Sequence, residues 1–322
     1  MINKKLIVGT LLAITILGCF AISMEIMDNI SEQAEISGYT SGQVLNSLDG
    51  SNLDIILNAK FTEERTTVPL YDVKFEKLDT EHIKKVAESF DIRGDLEDYI
   101  QNTGEIRIID NSYDPQRQVS YYSKSGAIVY AIPDKEFPNS VEVQPVLPSK
   151  EEAIKIANEF LSKTGTYQRE AFVKNVEVNQ KQQVWKSGAV EPEKSYDITN
   201  AVRYARNFDG IPVYGDEFSV IIGDGGEVVG MVKSWREVEP AGNVHLRTTE
   251  DAYEDLCNQN TVYPVNLAEF DTITINDISL GYWMEPRIYE QNKVVPVYVF
   301  SGTATRGKLT DPFIEYVYAS ES

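Results

Sequence analysis

Cysteine is almost absent from this chain: Cys19 and Cys257 are the only two in 322 residues. Cys19 falls inside an apolar run near the start, so the rest of the chain holds one thiol and cannot close an internal disulfide. Stability must therefore come from cores large enough to stand without covalent staples. Histidine is just as scarce. His82 and His245 lie too far apart to supply the paired helical ligands of a zinc protease. Positive charge is in deficit, with 30 Lys+Arg against 50 Asp+Glu and a net charge of −20. An acidic surface repels phosphate backbones, which sets nucleic acid aside as a partner. Twenty glycines and 13 prolines are too few for collagen-like or low-complexity chains.

One long hydrophobic run is present. Lys4 and Lys5 precede an uncharged stretch from Leu6 to Met24, which as a helix matches a bilayer's hydrocarbon core. Basic residues before such a span hold the N-terminus in the cytoplasm and send the remaining chain outside. Three outcomes stay open. The segment can remain as an uncleaved anchor. Ile16-Leu17-Gly18-Cys19 is similar to a lipobox, which makes Cys19 a lipidation candidate. Small residues at Ala21 and Ser23 also permit cleavage there. On this reading the segments are a signal anchor or signal peptide over 1–27 and a polar stalk over 28–52.

Periodicity then predicts three helix-then-sheet units, over 53–147, 148–242 and 243–322. Ile83, Val86, Ala87 and Phe90 form one apolar stripe behind Asp79-Thr80. Ser149-Lys150-Glu151-Glu152 reads as a capping box, and Ala153, Ile156, Ala157 and Phe160 supply its buried face. Thr248-Thr249-Glu250-Asp251-Ala252 opens a third helix in the same way and places Cys257 within it as a small apolar residue. Alternating strands rich in aromatic residues follow each helix, with Gly223-Asp224-Gly225-Gly226 as a tight turn. The acidic group Asp91, Asp95, Glu97 and Asp98 lacks the order of a calcium loop and reads as a solvated turn before a short helix. The fold class expected is α+β: repeated cystatin-like units, each a helix packed on a twisted antiparallel sheet. Net charge runs about −10, −3 and −7 through the three units, so the middle one is the least acidic.

Searching for chemistry returns little. Gly-x-Ser-x-Gly and Ser-x-x-Lys are missing, which leaves Lys163-Thr164-Gly165 without the nucleophile of penicillin-binding enzymes. Asp216 and Glu217 are adjacent along a strand and point to opposite faces, the wrong geometry for a carboxylate pair on one glycan. No catalytic, metal-binding or cofactor-binding residue is assigned, and no cofactor is expected.

The helix starts Ser149-x-Glu151-Glu152-Ala153 and Thr248-x-Glu250-Asp251-Ala252, each before antiparallel strands, resemble PepSY modules and the propeptide domains of thermolysin-like proteases. The stretch from Val202 to Gly215 looks like the strand–turn–strand of those domains. Gly281-Tyr282-Trp283 with Val295-Pro296-Val297-Tyr298 also resembles the YycI-type membrane-anchored regulators of sensor kinases. The resemblance implies an extracytoplasmic, non-catalytic binding or regulatory protein acting on a membrane or secreted partner, such as a sensor kinase or a protease. An exported enzyme acting on cell-wall glycans or peptides, or a structural envelope component, is the alternative. Partner contact is expected on the turn around Asn207, Asp209, Gly210, Pro212 and Tyr214, with strand addition at an open sheet edge as a further route.

Overall fold

Capping chemistry sets the helix starts. The computed structural model describes residues 43–45, 53–61 and 65–320. Helix α1 (Thr80–Ser89) begins behind Asp79, whose carboxylate accepts from the backbone N–H of His82. A single turn, α2 (Pro133–Glu136), starts on a proline. In α3 (Lys150–Lys163) both halves of the capping box form: Ser149 accepts from Glu152 N–H, and the Glu152 carboxylate accepts from Ser149 N–H. Helix α4 (Thr249–Cys257) follows Thr248, which accepts from Asp251 N–H.

Strands dominate the remainder. They are β1 (Gln43–Leu45), β2 (Asp54–Leu57), β3 (Thr67–Lys74), β4 (Leu96–Ile100), β5 (Glu105–Asp110), β6 (Arg117–Tyr122), β7 (Ile128–Ala131), β8 (Phe172–Val184) and β9 (Lys194–Ala205). After these come β10 (Asn207–Phe208), β11 (Ile211–Tyr214), β12 (Glu217–Ile222), β13 (Val228–Ser234), β14 (Glu237–His245), β15 (Thr272–Trp283), β16 (Lys293–Arg306) and β17 (Leu309–Tyr318). The first sheet is antiparallel throughout, in the order β4-β5-β6-β7-β13-β12-β9-β8. The second runs β1-β2-β15-β16-β3-β14, with β17 on β16 and β11 on β15.

Each sheet buries one face under helices. Helices α1 and α3 share the first: Ile83, Ala87 and Phe90 meet Ala153, Ala157 and Leu161 over Val202, Val220 and Met231. Phe90 stacks on Tyr130 at 5.4 Å and lies 5.9 Å from Phe160. The smaller α4 covers the second, setting Ala252, Tyr253 and Leu256 on Phe300, Phe313 and Val317. Cys257 ends that helix as a half-buried free thiol, and burial pushes its pKa up.

The units expected at 147/148 and 242/243 do not coincide with the sheets. Register pairs Ala131 with Gly230, so the first and middle segments share one sheet. Strand β3, from the first segment, lies instead between β14 and β16. Two local expectations are corrected. Within the polar stalk, Gln43–Leu45 is a strand paired with Ile55–Leu57. The acidic stretch leads not into a helix but into β4, where Leu96 pairs with Ile108; ladder hydrogen bonds to β5 outweigh the weak local preference.

No helix among the described residues is long and apolar enough to cross a membrane. The anchor expected at Leu6–Met24 and the lipidation candidate Cys19 lie outside the described residues.

Candidate functional site at the junction of the two sheets

Between β9 and β12 the chain leaves the first sheet, makes an excursion over residues 206–216, and returns. Arg206 and Asp216 close its base. Their side chains are only 2% and 3% exposed and form a bidentate pair at 2.7 and 3.1 Å. The guanidinium also donates to the Arg236 carbonyl at 2.8 Å and sits 4.2 Å over the Trp235 ring. A charge buried this deeply needs all of these partners, because removing it from water is costly otherwise.

The excursion is a hairpin. Asn207 pairs with Pro212 and Phe208 with Ile211. Asp209 and Gly210 occupy the turn with φ of 51° and 78°, the left-handed pair that a two-residue primed turn requires. Strand β11 then joins the second sheet in parallel, Val213 against Tyr282 and Tyr214 against Trp283. At Gly215, φ is +85° and a Cβ would stand 1.9 Å from the Met284 carbonyl oxygen. Only glycine fits there.

The two faces of the hairpin differ. Ile211 and Val213 are buried with Val68, Tyr282, Met284 and Val294, and the Phe208 ring lies 4.8 Å from Tyr71. Asn207, Asp209, Gly210 and Pro212 are exposed on the other side. Four of the five contact residues expected from sequence thus come together on one surface. Tyr214 does not join them: its ring packs 5.4 Å from Tyr316 and closely over Gly281, and burial raises its phenol pKa. Between the hairpin base and β14 lies a cleft of about 160 Å³ lined by Glu170, Arg206, Asn207, Phe208, Glu237 and Val238.

Sequence reasoning set Asp216 and Glu217 aside as a catalytic pair, and the structure gives both a structural partner. Asp216 turns to Arg206, while Glu217 turns to Arg287. The three arginines 206, 236 and 287 carried no motif.

Edge strands are poorly suited to strand addition. Register shifts interrupt β8 at three points and β4 at one. Strand β14 carries Pro240 and a bulge, and β17 carries Pro312. Such features blunt edges against pairing. Among the described residues, no group of three His, Cys, Asp or Glu side chains is placed to hold a metal.

No family model matches this chain, and no curated protein matches it. Among solved structures it is similar to an uncharacterized protein from Eubacterium rectale ATCC 33656, at 12% identity and a TM-score of 0.40, over 87% of this chain and 90% of that one. It is also similar to the Bacillus megaterium YpeB C-terminal domain, at 14% identity and a TM-score of 0.34, over 76% of this chain and 95% of that one. Scores this low assign neither a family nor a function.

Proposed function

We propose that this is a non-catalytic extracytoplasmic binding protein that regulates a membrane or secreted partner, such as a sensor kinase or a protease. The carrying observation is the Asn207–Tyr214 hairpin. Its apolar underside and its buried Arg206–Asp216 base hold it still, while Asn207, Asp209, Gly210 and Pro212 face solvent. A rigid, projecting surface of this kind loses little entropy on docking. The finer reading is that the sheets derive from PepSY-like, cystatin-like units, kept outside the cell by the Leu6–Met24 segment as an anchor or by lipid on Cys19.

The test is a photo-crosslinking residue placed at Asn207 or Pro212 in the native membrane, followed by mass spectrometry. One stoichiometric protein partner is expected, lost when the crosslinker sits instead on α1. Turnover of wall glycans or peptides by the purified protein, abolished by one carboxylate or serine substitution, would replace this reading with an exported enzyme.

A further inference from the structure

Glu315 is a carboxyl buried without a counter-charge. It lies on β17 between Phe313 and Val317, on the face under α4, and is 3% exposed. Among the described residues it forms no ion pair. The groups that act on it are the Tyr316 N–H, at 3.4 Å, and the Thr261 hydroxyl. From β16 the side chain opposite is Phe300. On α4, Tyr253 and Cys257 have their pKa raised by burial and stay neutral near pH 7. Asp255 of that helix is paired with Arg247 at 2.6 Å, and Glu250, Asp251 and Glu254 face solvent. A carboxylate removed from water with so little compensation is disfavoured, and burial raises the Glu315 pKa from 4.5 to about 7.

Thr261 belongs to a flap, residues 261–266, that is pinned at both ends. Before it, Asn260 is tied to α4: its N–H donates to the Asp255 carbonyl at 2.8 Å and its side chain to the Asp255 carboxylate at 3.1 Å. After it, Leu267 is 1% exposed in the core. Between these points the flap meets the second sheet through Val262 and Tyr263. Val262 N–H donates to the Tyr316 carbonyl at 2.8 Å. The Tyr263 ring lies 5.6 Å from Trp283, and its hydroxyl donates to Glu285 at 2.6 Å. Val262 also packs against the cluster of Trp283, Val297 and Val299, so the flap covers part of it.

We propose that this flap is a pH-sensitive gate: it stays docked while Glu315 is protonated, and ionisation of Glu315 lifts it from β17 and uncovers Trp283. An ionised carboxylate must regain water, and the flap is the cover that opens at least cost. Strand β17 is laddered to β16 from Leu309 to Tyr318, and α4 is held by the burial of Ala252, Tyr253 and Leu256. Residues 263–266 of the flap already face solvent, and segments with few buried contacts open first. The sign follows from linkage. The docked state holds the proton more tightly than the lifted one, so lifting grows as pH rises from about 4.5 to about 7.

Amide hydrogen exchange of the full chain in detergent, corrected for intrinsic rates, tests the gate at pH 5.5 and pH 8. The lifted population should rise about thirtyfold between them, read as an equal loss of protection at Val262, while amides of the β15–β16 ladder keep theirs. Glu315→Gln cannot ionise and should make Val262 protection independent of pH. Glu136→Gln, in the first sheet, should leave the thirtyfold change intact. If the Glu315 variant fails to fold, the wild-type chain carries the test alone, because gating demands that Val262 lose protection with pH and the ladder does not. Loss of protection in both together would overturn the gate. So would Val262 protection that is equal at the two pH values, or a change that survives Glu315→Gln.

Discussion

The two sheets are assembled from different kinds of pairing. In the first, β4 to β7 form a consecutive meander, and β8–β9 and β12–β13 are hairpins. Only β7–β13 and β9–β12 join strands that are not neighbours in sequence. The second also has consecutive pairs, β1–β2 and β15–β16–β17, but it adds more distant pieces to them: β3 lies between β14 and β16, and β2 and β11 both pair in parallel with β15. Local pairings follow from turn chemistry, whereas distant ones must offset the entropy of closing long loops. The second sheet therefore leans more heavily on the arginine junction that ties it to the first.

Breaking that junction should have the largest effect. Arg206→Met leaves Asp216 buried and unpaired, and a loss of about 3–5 kcal/mol is expected. Denaturation followed by amide exchange should show the second sheet opening before the first; simultaneous opening would mean that the sheets do not differ in this dependence. Gly215→Ala attacks the same junction by sterics alone. Its Cβ would collide with the Met284 carbonyl at a positive φ, for an expected cost of about 3 kcal/mol. Gly210→Ala, also at positive φ but with open space around it, should cost about 1 kcal/mol. Similar costs at the two glycines would show that β11 is not tightly docked.

The same division explains what the sequence disclosed. Helices α1, α3 and α4 were legible because caps and apolar spacing are local signals, and most strands of the first sheet from β5 onward carry β-branched and aromatic residues between turn signals. The Asp209-Gly210 turn was legible for the same reason. Strand β3 was missed because Pro69 and Asp72 disturb its alternation, and β14 because Pro240 and Gly242 do. Both are held by partners more than 150 residues away in register, such as Val73 opposite Val238. Among the candidate contact residues, Tyr214 was misplaced because sequence cannot show that its ring has Gly281 to pack upon.

Each region also holds a carboxyl that burial pushes up to about 7, and pH sharpens the comparison. Glu136 on α2 packs against Gly230 of the first sheet, and Glu315 on β17 is 3% exposed in the second. Burial raises both from 4.5 to about 7. The folded state thus binds more protons than the unfolded chain between those values, so stability falls as pH rises from about 4.5 to about 7. The alkaline loss is about 3 kcal/mol per group. Glu315→Gln and Glu136→Gln should each recover that amount at pH 8 and almost nothing at pH 4, in thermal melts across the range. If only one variant recovers stability, its sheet alone carries the pH dependence.

The smallest effect separates two helix starts that look alike in sequence. Ser149 and Thr248 both precede an acidic first turn, yet only Ser149 forms the reciprocal box, with Glu152 reaching back to the cap's own N–H. Ser149→Ala removes an acceptor on which a two-way arrangement depends and should cost about 1 kcal/mol. Thr248→Ala removes a single bond to Asp251 N–H and should cost less, about 0.5 kcal/mol. The second-position changes discriminate further. Glu152→Ala leaves the Ser149 N–H without its carboxylate, whereas Asp251 bonds no cap N–H, so Asp251→Ala should lose only the favourable interaction of a negative charge with the helix N-terminus. Urea unfolding of the four variants gives the ordering directly. Equal costs at Ser149 and Thr248 would mean that packing of α3 across the first sheet, and not its box, fixes where that helix begins.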